Sequence, residues 1–142
     1  MDPQAKVDLL NRVLHGTVNS VVQYIGISAP HVPAGREQDL EKLNRMQGEE
    51  AETAHEINGL VSDLDGVPSV GVFEYWNVDL NYLDLGFLAR FAAKHQEKVI
   101  AEVERNIDLF RDDARVHGLL RRILEQKREH LGALQEIGGR EG

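Results

Sequence analysis

The fold and the main chemical question about this sequence both start from one stretch, LEQKREHLGAL, at residues 124–134. Leu124, Leu131 and Leu134 recur at the spacing of one face of an α-helix, which predicts that this face packs against a core. Lys127 lies on the same stripe, and His130 follows it three residues later, beside the stripe. Because burying an unpaired lysine costs free energy, this lysine needs a chemical partner or a route to water.

The same periodicity occurs in three further segments and predicts four helices, over about residues 4–25, 36–65, 80–110 and 113–137. Loop signals separate them, with Gly and Pro in GISAPHVPAG, 26–35, and in DGVPSVGVFEYWNVD, 65–79. Gly138 and Gly139 end the last helix, and we expect residues 138–142 to form a disordered tail. Residues 1–142 therefore form a single all-α domain.

The lengths of the connections predict how the helices are arranged. Helices one and two, and helices three and four, are joined by short connections and should form antiparallel pairs. The second helix, at about 30 residues, is roughly 45 Å long at about 1.5 Å per residue. The linker after it, of about 14 residues, spans at most ~46–50 Å when extended, so it can run back along the whole bundle. Helices two and three are then parallel, with one long crossover between them.

Composition excludes several classes of function. The chain has 142 residues, a formal net charge of −8 and a pI near 5.2, which makes nucleic acid an unsuitable partner. The absence of Cys excludes disulfides and thiolate metal sites. No apolar run reaches the roughly 18 residues of a membrane span, and the start MDPQAKVDLL lacks a signal pattern. We therefore expect a cytoplasmic protein that binds neither nucleic acid nor membrane.

Three motifs in this order resemble the bacterioferritins: LNRVLHGTVNSVVQY at 10–24, LVSDLDGVPSVG at 60–71 and ILEQKREHLGAL at 123–134. They correspond to the first helix, the end of the second helix and the metal motif of the fourth helix in that family. The resemblance extends from about residue 5 to residue 137. It implies a ferritin-like four-helix bundle with one long crossover and a role related to iron handling or storage.

The resemblance also implies positions for a di-iron centre, which takes a Glu from each of two helices and a Glu-x-x-His motif from each of the other two. Only Glu50 and His130 keep a ligand of the family. The ligand position of the third helix falls on either Lys94 or His95, and His95 would be a third ligand if it occupies that position. The degenerate di-iron positions are Thr17, Glu50, Thr53, His95, Lys127 and His130. Among them, the resemblance implies a Glu where Thr17 and Lys127 stand and a His where Thr53 stands. The resemblance therefore implies a non-catalytic binding, structural or regulatory bundle with no resident cofactor. The alternative is an active iron-oxidising protein with altered ligands, drawn from Glu50, His95, Glu102 and His130.

Lys127 has two interpretations at this point. In one, its ammonium pairs with Glu50 on a neighbouring helix and supplies the positive charge that metal supplies in the relatives. In the other, the side chain extends from the edge of the stripe into water. His95 is likewise either a hydrogen-bonded core histidine or a ligand.

A second group of candidate ligands lies off the inward face. ETAH, residues 52–55, has the Glu-x-x-His spacing but begins two residues after Glu50. Two residues rotate a helical position by about 200°, so this motif faces away from the stripe that contains Glu50. His15, Glu52 and His55 form either a metal site between two subunits, as in the related mini-ferritins, or an ordinary solvated or interface surface. The haem of bacterioferritins binds a Met directly after the second-helix Glu, and because Ala51 stands there we expect no haem.

Assembly is predicted from the end of the chain and from the crossover. Cage-forming ferritins carry a fifth helix, whereas this chain has no apolar residue after Ile137. We therefore expect a homodimer formed through the first two helices, with a subunit of a true ferritin as an alternative partner. Tyr75, Trp76 and Tyr82 in EYWNVDLNY, 74–82, predict packing or a dimer surface at the crossover.

Overall fold

The structure, a computed structural model, describes residues 2–18, 20, 22–23, 32, 34–69 and 84–139 of the chain. Four α-helices lie within these residues: α1 over Pro3–Val18, α2 over Glu37–Asp63, α3 over Leu85–Asn106 and α4 over Ala114–Gly138. A 3₁₀ turn over Ile107–Phe110 follows α3. The predicted all-α class is confirmed. None of the described helices is long and apolar enough to cross a membrane.

Two aspartates define where α3 and α4 begin. The carboxylate of Asp84 accepts hydrogen bonds from two backbone amides in the first turn of α3. Asp113 does the same for α4, where it accepts from the amide of Val116 at 3.2 Å. Such N-caps satisfy amides that have no partner inside the helix. Asp113 also forms an ion pair of 2.9 Å with Lys6, which ties the start of α4 to α1.

Two arginines bind the carboxyl end of α4, where the last carbonyls have no partner in the helix. Arg36, directly before α2, donates to the carbonyl of Ile137 at 2.8 Å and is held by Asp39 at 2.7 Å. Arg90, in the second turn of α3, donates to the carbonyl of Gly138 at 2.6 Å. The end of α4 is thereby fixed against the starts of α2 and α3.

Contacts between helices give their directions. Arg12 in α1 forms an ion pair of 2.6 Å with Glu102 in α3. Gly16, which comes later in α1, contacts His95, which comes earlier in α3, at 2.7 Å. The two helices are therefore antiparallel. The side chain of Asn11 in α1 holds residues 67–69, which follow α2, through two backbone hydrogen bonds, whereas Gln23, which follows α1, donates to the carbonyl of Gln47 in the first half of α2. α1 and α2 are therefore antiparallel as well. Since α2 and α3 are both antiparallel to α1, they are parallel to each other, as predicted for a ferritin-like bundle. Residues 70–83, with the cluster Tyr75, Trp76 and Tyr82, lie outside the described residues.

The predicted helix bounds need correction mainly at the first helix. It was expected over 4–25, but α1 ends at Val18, Ser20 is not helical, and helical geometry returns at residues 22–23. The hydroxyl of Ser20 accepts from the amide of Gln23 at 3.1 Å, and a side chain that bonds to a nearby backbone amide in this way offers the backbone an alternative to continuing the helix. α3 ends at Asn106, four residues before the predicted end, because the last turn becomes 3₁₀. The second and fourth helices lie within two residues of their predicted bounds.

Among the described residues, the buried apolar side chains form two clusters with a polar layer between them. The first cluster includes Leu10, Leu14, Ile57, Val61, Val103, Leu120 and Ile123. The second includes Val22, Leu43, Met46, Leu88, Ala92, Leu134 and Ile137. The polar layer lies between them along each helix, and its members are at most 7% exposed: Thr17, Ser20, Glu50, Thr53, Gln96, Lys127 and His130. Buried polar groups at one level of an otherwise apolar core make this layer the candidate site.

Candidate functional site

Glu50 is the central acceptor of the polar layer and has no exposure to solvent. Its Oε2 accepts from Nζ of Lys127 at 2.5 Å and from Nε2 of Gln96 at 3.0 Å. Its Oε1 accepts from the hydroxyl of Ser20 at 2.7 Å. The carboxylate is therefore held by donors from α3, from α4 and from the segment after α1, and both of its oxygens have partners.

Lys127 is fully buried on α4, so of the two interpretations of this residue the ion pair with Glu50 is the one observed. Leu124 and Leu134 lie on the same inward face and contribute to the two apolar clusters on either side. The ammonium therefore has no route to water along the stripe. A buried ion pair leaves no net charge in the core, whereas either partner alone would leave one.

The environment of Glu50 keeps its carboxylate ionised. Burial raises the pKa of this carboxyl, but the charge of Lys127 and the hydrogen bonds from Lys127, Ser20 and Gln96 together lower the pKa below its ordinary value of 4.5. Glu50 is thus an anion at neutral pH.

His130 lies one turn after Lys127 and is 4% exposed. Its Nε2 is 3.1 Å from Oε2 of Glu49, a half-exposed carboxylate on α2. Its Nδ1 is buried and has no hydrogen-bond partner. When Nε2 carries the proton and donates to Glu49, Nδ1 is an acceptor with a free lone pair.

The two threonines of the layer make hydrogen bonds within the protein. Thr17 donates to the carbonyl of Val13 at 2.9 Å, within α1. Thr53 donates to the side-chain oxygen of Gln126 on α4 at 3.0 Å. Neither hydroxyl brings a negative charge, so the positions that the resemblance assigned to a Glu and a His contribute no charged ligand.

The predicted ligand position of the third helix needs a correction. The sequence left the choice between Lys94 and His95, whereas the residue of α3 that contacts Glu50 is Gln96. His95 is half-buried, and its Nε2 lies 2.7 Å from the carbonyl of Gly16. Lys94 is exposed. A shift of one residue rotates a helical position by about 100°, which separates these faces. The inward run Ala89, Ala92, Ala93, Gln96, Ile100 and Val103 is the signal that would have identified Gln96.

Ser20 was also missed, because it lies beyond the end of α1 and outside the ligand spacing of the family. Its hydroxyl has two roles: it accepts from the amide of Gln23 and donates to Glu50. The only sequence signal is that Ser20 lies three residues after Thr17. This spacing would place both on one face only if the helix continued past Val18.

The remaining candidate ligands lie elsewhere. Glu102 pairs with Arg12 and Arg105, and the hydrogen bond from Arg12 is the main cause that lowers its pKa. Glu52 and His55 are exposed on α2, and His15 is half-buried on α1. Within the described part of the chain, no group of three or more His, Asp or Glu side chains is placed to hold a metal ion. The inter-subunit site of His15, Glu52 and His55 stays a prediction.

The layer does not fit a di-iron centre. Such a centre needs several carboxylates to neutralise two iron ions, and the layer offers one, Glu50, whose two oxygens already have protein partners. The ammonium of Lys127 already supplies a positive charge 2.5 Å from Oε2 of Glu50. Ala51, at the position of the haem ligand, is exposed and has no donor atom in its side chain.

Comparison with known proteins agrees with this geometry at the level of fold. The profile of the ferritin-like domain family matches residues 7–140. The structure is similar to the bacterioferritin-related protein from Bacteroides fragilis, a dodecameric thioferritin, with a TM-score of 0.79 and 19% identity over 96% of this chain and 86% of the other. It is also similar to a ferritin-like, diiron-carboxylate protein from Bacillus anthracis, with a TM-score of 0.79 and 14% identity over 98% of this chain and 100% of the other. Curated protein sequences gave no significant match.

Proposed function

Because the chain belongs to the ferritin-like domain family, we propose that it is a bundle of that family in which an ion pair replaces the di-iron centre. It then has no ferroxidase activity and serves iron handling as a binding, structural or regulatory component. The observation that supports this proposal is the contact of 2.5 Å between Nζ of Lys127 and Oε2 of Glu50, with both side chains fully buried. No resident cofactor is needed to neutralise the charge of Glu50.

Electrostatics supports the same proposal. A divalent cation placed beside Glu50 would share the layer with the Lys127 ammonium. At about 4 Å and an effective dielectric constant of about 20, the repulsion between a doubly and a singly charged cation is on the order of 8 kcal/mol. Iron would also have to displace the hydrogen bonds that Ser20 and Gln96 make to the carboxylate. Iron binding in the layer is therefore opposed unless the lysine moves or loses its proton.

Aerobic oxidation of Fe(II) tests this proposal. We expect the rate with the protein to equal the rate in buffer alone. A saturable acceleration at about two irons per chain, the stoichiometry of a di-iron centre, would contradict the proposal.

The same assay separates the alternative of an active enzyme with altered ligands. Any activity that is lost in Glu50→Gln or His130→Ala lies in the layer. Activity that is lost in His55→Ala and retained in those variants belongs to the predicted surface site.

We propose further that the chain assembles as a homodimer through the exposed sides of α1 and α2. The dodecameric state of the protein from Bacteroides fragilis supports self-association in this fold. Light scattering of the purified protein should give about twice the mass of the 15.9 kDa chain. A stable dodecamer would contradict the dimer, and co-purification with a ferritin subunit would favour the mixed assembly.

A further inference from the structure

A groove of about 390 Å³ lies between α2 and α4, and none of the residues that line it belongs to the polar layer. Gly59 and Leu60 of α2 line it on one side, and Gly118 and Leu119 of α4 line it on the other. We propose that this α2–α4 groove binds a small aromatic anion, such as an aryl carboxylate. The proposal goes beyond the proposed function, because it concerns a different site and requires no iron.

Two ion pairs between the helices bound the groove. Nη2 of Arg122 lies 2.8 Å from Oε2 of Glu56, and Nη2 of Arg115 lies 2.5 Å from Oδ2 of Asp63. On each helix the two paired residues are seven positions apart, which is two turns or about 10 Å along the axis. Gly118 lies between the two arginines of α4. The space between the ion pairs therefore matches the length of one or two aromatic rings.

The middle of the groove is open because glycines stand where side chains would fill it. A Cβ atom added at Gly59 or at Gly118 would meet nothing within 4 Å, so neither glycine is required for close packing of the helices. Glycine destabilises a helix interior relative to alanine, so the open space comes with weaker helices. Leu60 and Leu119 are buried and give the groove an apolar surface. A flat apolar ring would cover this surface and remove it from water.

The two arginines favour a ligand that is both anionic and aromatic. A guanidinium carries five N–H donors, more than a single carboxylate occupies, so donors remain for the carboxylate of a ligand. The guanidinium plane also stacks on aromatic rings. Because Glu56 and Asp63 lie beside the arginines, a doubly charged anion would be repelled more strongly than a singly charged one. The groove therefore suits an aromatic monoanion better than inorganic phosphate.

Isothermal titration calorimetry with 2-naphthoate tests the proposal. We expect one site per chain with a Kd below about 1 mM, the range for a ligand of this size. Naphthalenemethanol keeps the two rings and lacks the charge, and it should bind about tenfold more weakly because it makes no charge-assisted hydrogen bond. Inorganic phosphate, which has the charge without the rings, should bind more weakly than 2-naphthoate as well.

Filling the groove should remove the binding of 2-naphthoate without disturbing the fold. Gly118→Leu places a side chain in the groove and should weaken binding by about tenfold or more. Gly132→Leu on the same helix, where an added Cβ also meets nothing within 4 Å, is the matched control and should bind like the unaltered chain. Circular dichroism checks that each variant keeps its helices. If Gly118→Leu does not fold, Gly59→Leu decides from the opposite side, with Gly48→Leu as its control.

The contribution of the charge is measured with a second pair of variants. Arg115→Gln combined with Arg122→Gln should weaken 2-naphthoate about tenfold and leave the affinity for naphthalenemethanol unchanged. Both ion pairs are exposed, so their loss should change stability little. Arg121→Gln combined with Arg128→Gln, at exposed positions of α4 outside the groove, is the control and should bind both compounds like the unaltered chain.

The proposal is overturned if 2-naphthoate gives no saturable binding to the unaltered chain, or if the folded groove-filling variant binds it as tightly as its control. It is also overturned if naphthalenemethanol or phosphate binds as tightly as 2-naphthoate. Iron oxidation by the unaltered chain would contradict the proposed function alone, because these titrations contain no iron.

Discussion

At the scale of the residue, the Glu50–Lys127 pair is two buried charges, and each makes the other tolerable. Taking both ions out of water costs several kcal/mol each, roughly as much as their attraction returns. The hydrogen bonds from Ser20 and Gln96 further stabilise the ionised carboxylate of Glu50. The pair therefore contributes little net stability, but the loss of one partner leaves a buried charge with no counter-ion.

A double-mutant cycle measures this dependence. Lys127→Met leaves Glu50 buried and unpaired, and should lower the free energy of unfolding by about 3–5 kcal/mol at neutral pH. Glu50→Gln combined with Lys127→Met should cost far less than the sum of the two single changes, because no lone charge remains. Urea denaturation of the four proteins gives the coupling free energy. A coupling within error of zero would mean that the two charges do not depend on each other.

The pH dependence of the same variants has a definite sign. Because the pKa of Glu50 is lowered in the folded chain, its contribution to stability is present above the ordinary pKa of 4.5 and is lost as pH falls through the folded pKa. In Lys127→Met burial remains while the cation is gone, so the carboxyl pKa rises and protonation relieves the variant. The difference in unfolding free energy between the unaltered chain and Lys127→Met should therefore shrink as pH is lowered from 7 towards 4. A constant difference would argue against an unpaired Glu50 in the variant.

The sequence identified the two charged members of the layer but not their neutral partners. Lys127 and Glu50 could be found because a charged residue on an apolar stripe conflicts with its surroundings. Gln96 carries no charge, so it does not conflict with an apolar stripe. Placing it beside Glu50 also requires a helix register that differs by one residue from the register that would place His95 there. Ser20 depends on the end of α1 at Val18, which local hydrogen bonding determines and which periodicity does not reveal.

At the scale of the element, α1 and α3 approach closely at Gly16. A Cβ atom added there would lie 2.9 Å from Cγ2 of Val99, closer than van der Waals contact allows. The β-branched valine has little freedom to move aside. The carbonyl of Gly16 is also the contact of His95, so the same approach positions the ring. Glycine at 16 therefore sets the distance between the two helices.

Gly16→Ala should accordingly destabilise the bundle by about 1–3 kcal/mol, as overpacking of a core does. The loss should largely disappear when Val99→Ala is added, because the clashing methyl groups are gone. Gly48→Ala on α2, where an added Cβ meets nothing within 4 Å, is the control and should stabilise by about 0.4–1 kcal/mol. Thermal or urea unfolding measures all of these. Equal effects of the alanines at 16 and 48 would show that the helices do not pack as described.

The order and direction of the helices followed from the sequence because they depend on lengths. A linker long enough to run back along a helix of about 45 Å allows parallel second and third helices. The observed contacts of α1 with α3 and with the segment directly after α2 agree with that arrangement. Helix ends were less well predicted, since the end of α1 and the last turn of α3 depend on single hydrogen bonds and on a change to 3₁₀ geometry.

At the scale of the whole molecule, the bundle combines the fold of the ferritin-like family with a core whose central charge is balanced by the protein itself. The apolar clusters on either side of the layer join the helices through apolar side chains. Folding should therefore not depend on iron, and a loss of one ion-pair partner should affect the centre of the bundle before its ends.

The most direct test of the central claim is a crystal structure of the protein soaked in Fe(II), with anomalous diffraction measured at the iron edge. We predict no anomalous peak in the polar layer, and the ammonium of Lys127 in contact with the carboxylate of Glu50. An iron peak bonded to Glu50 and His130, with the side chain of Lys127 displaced, would contradict the account.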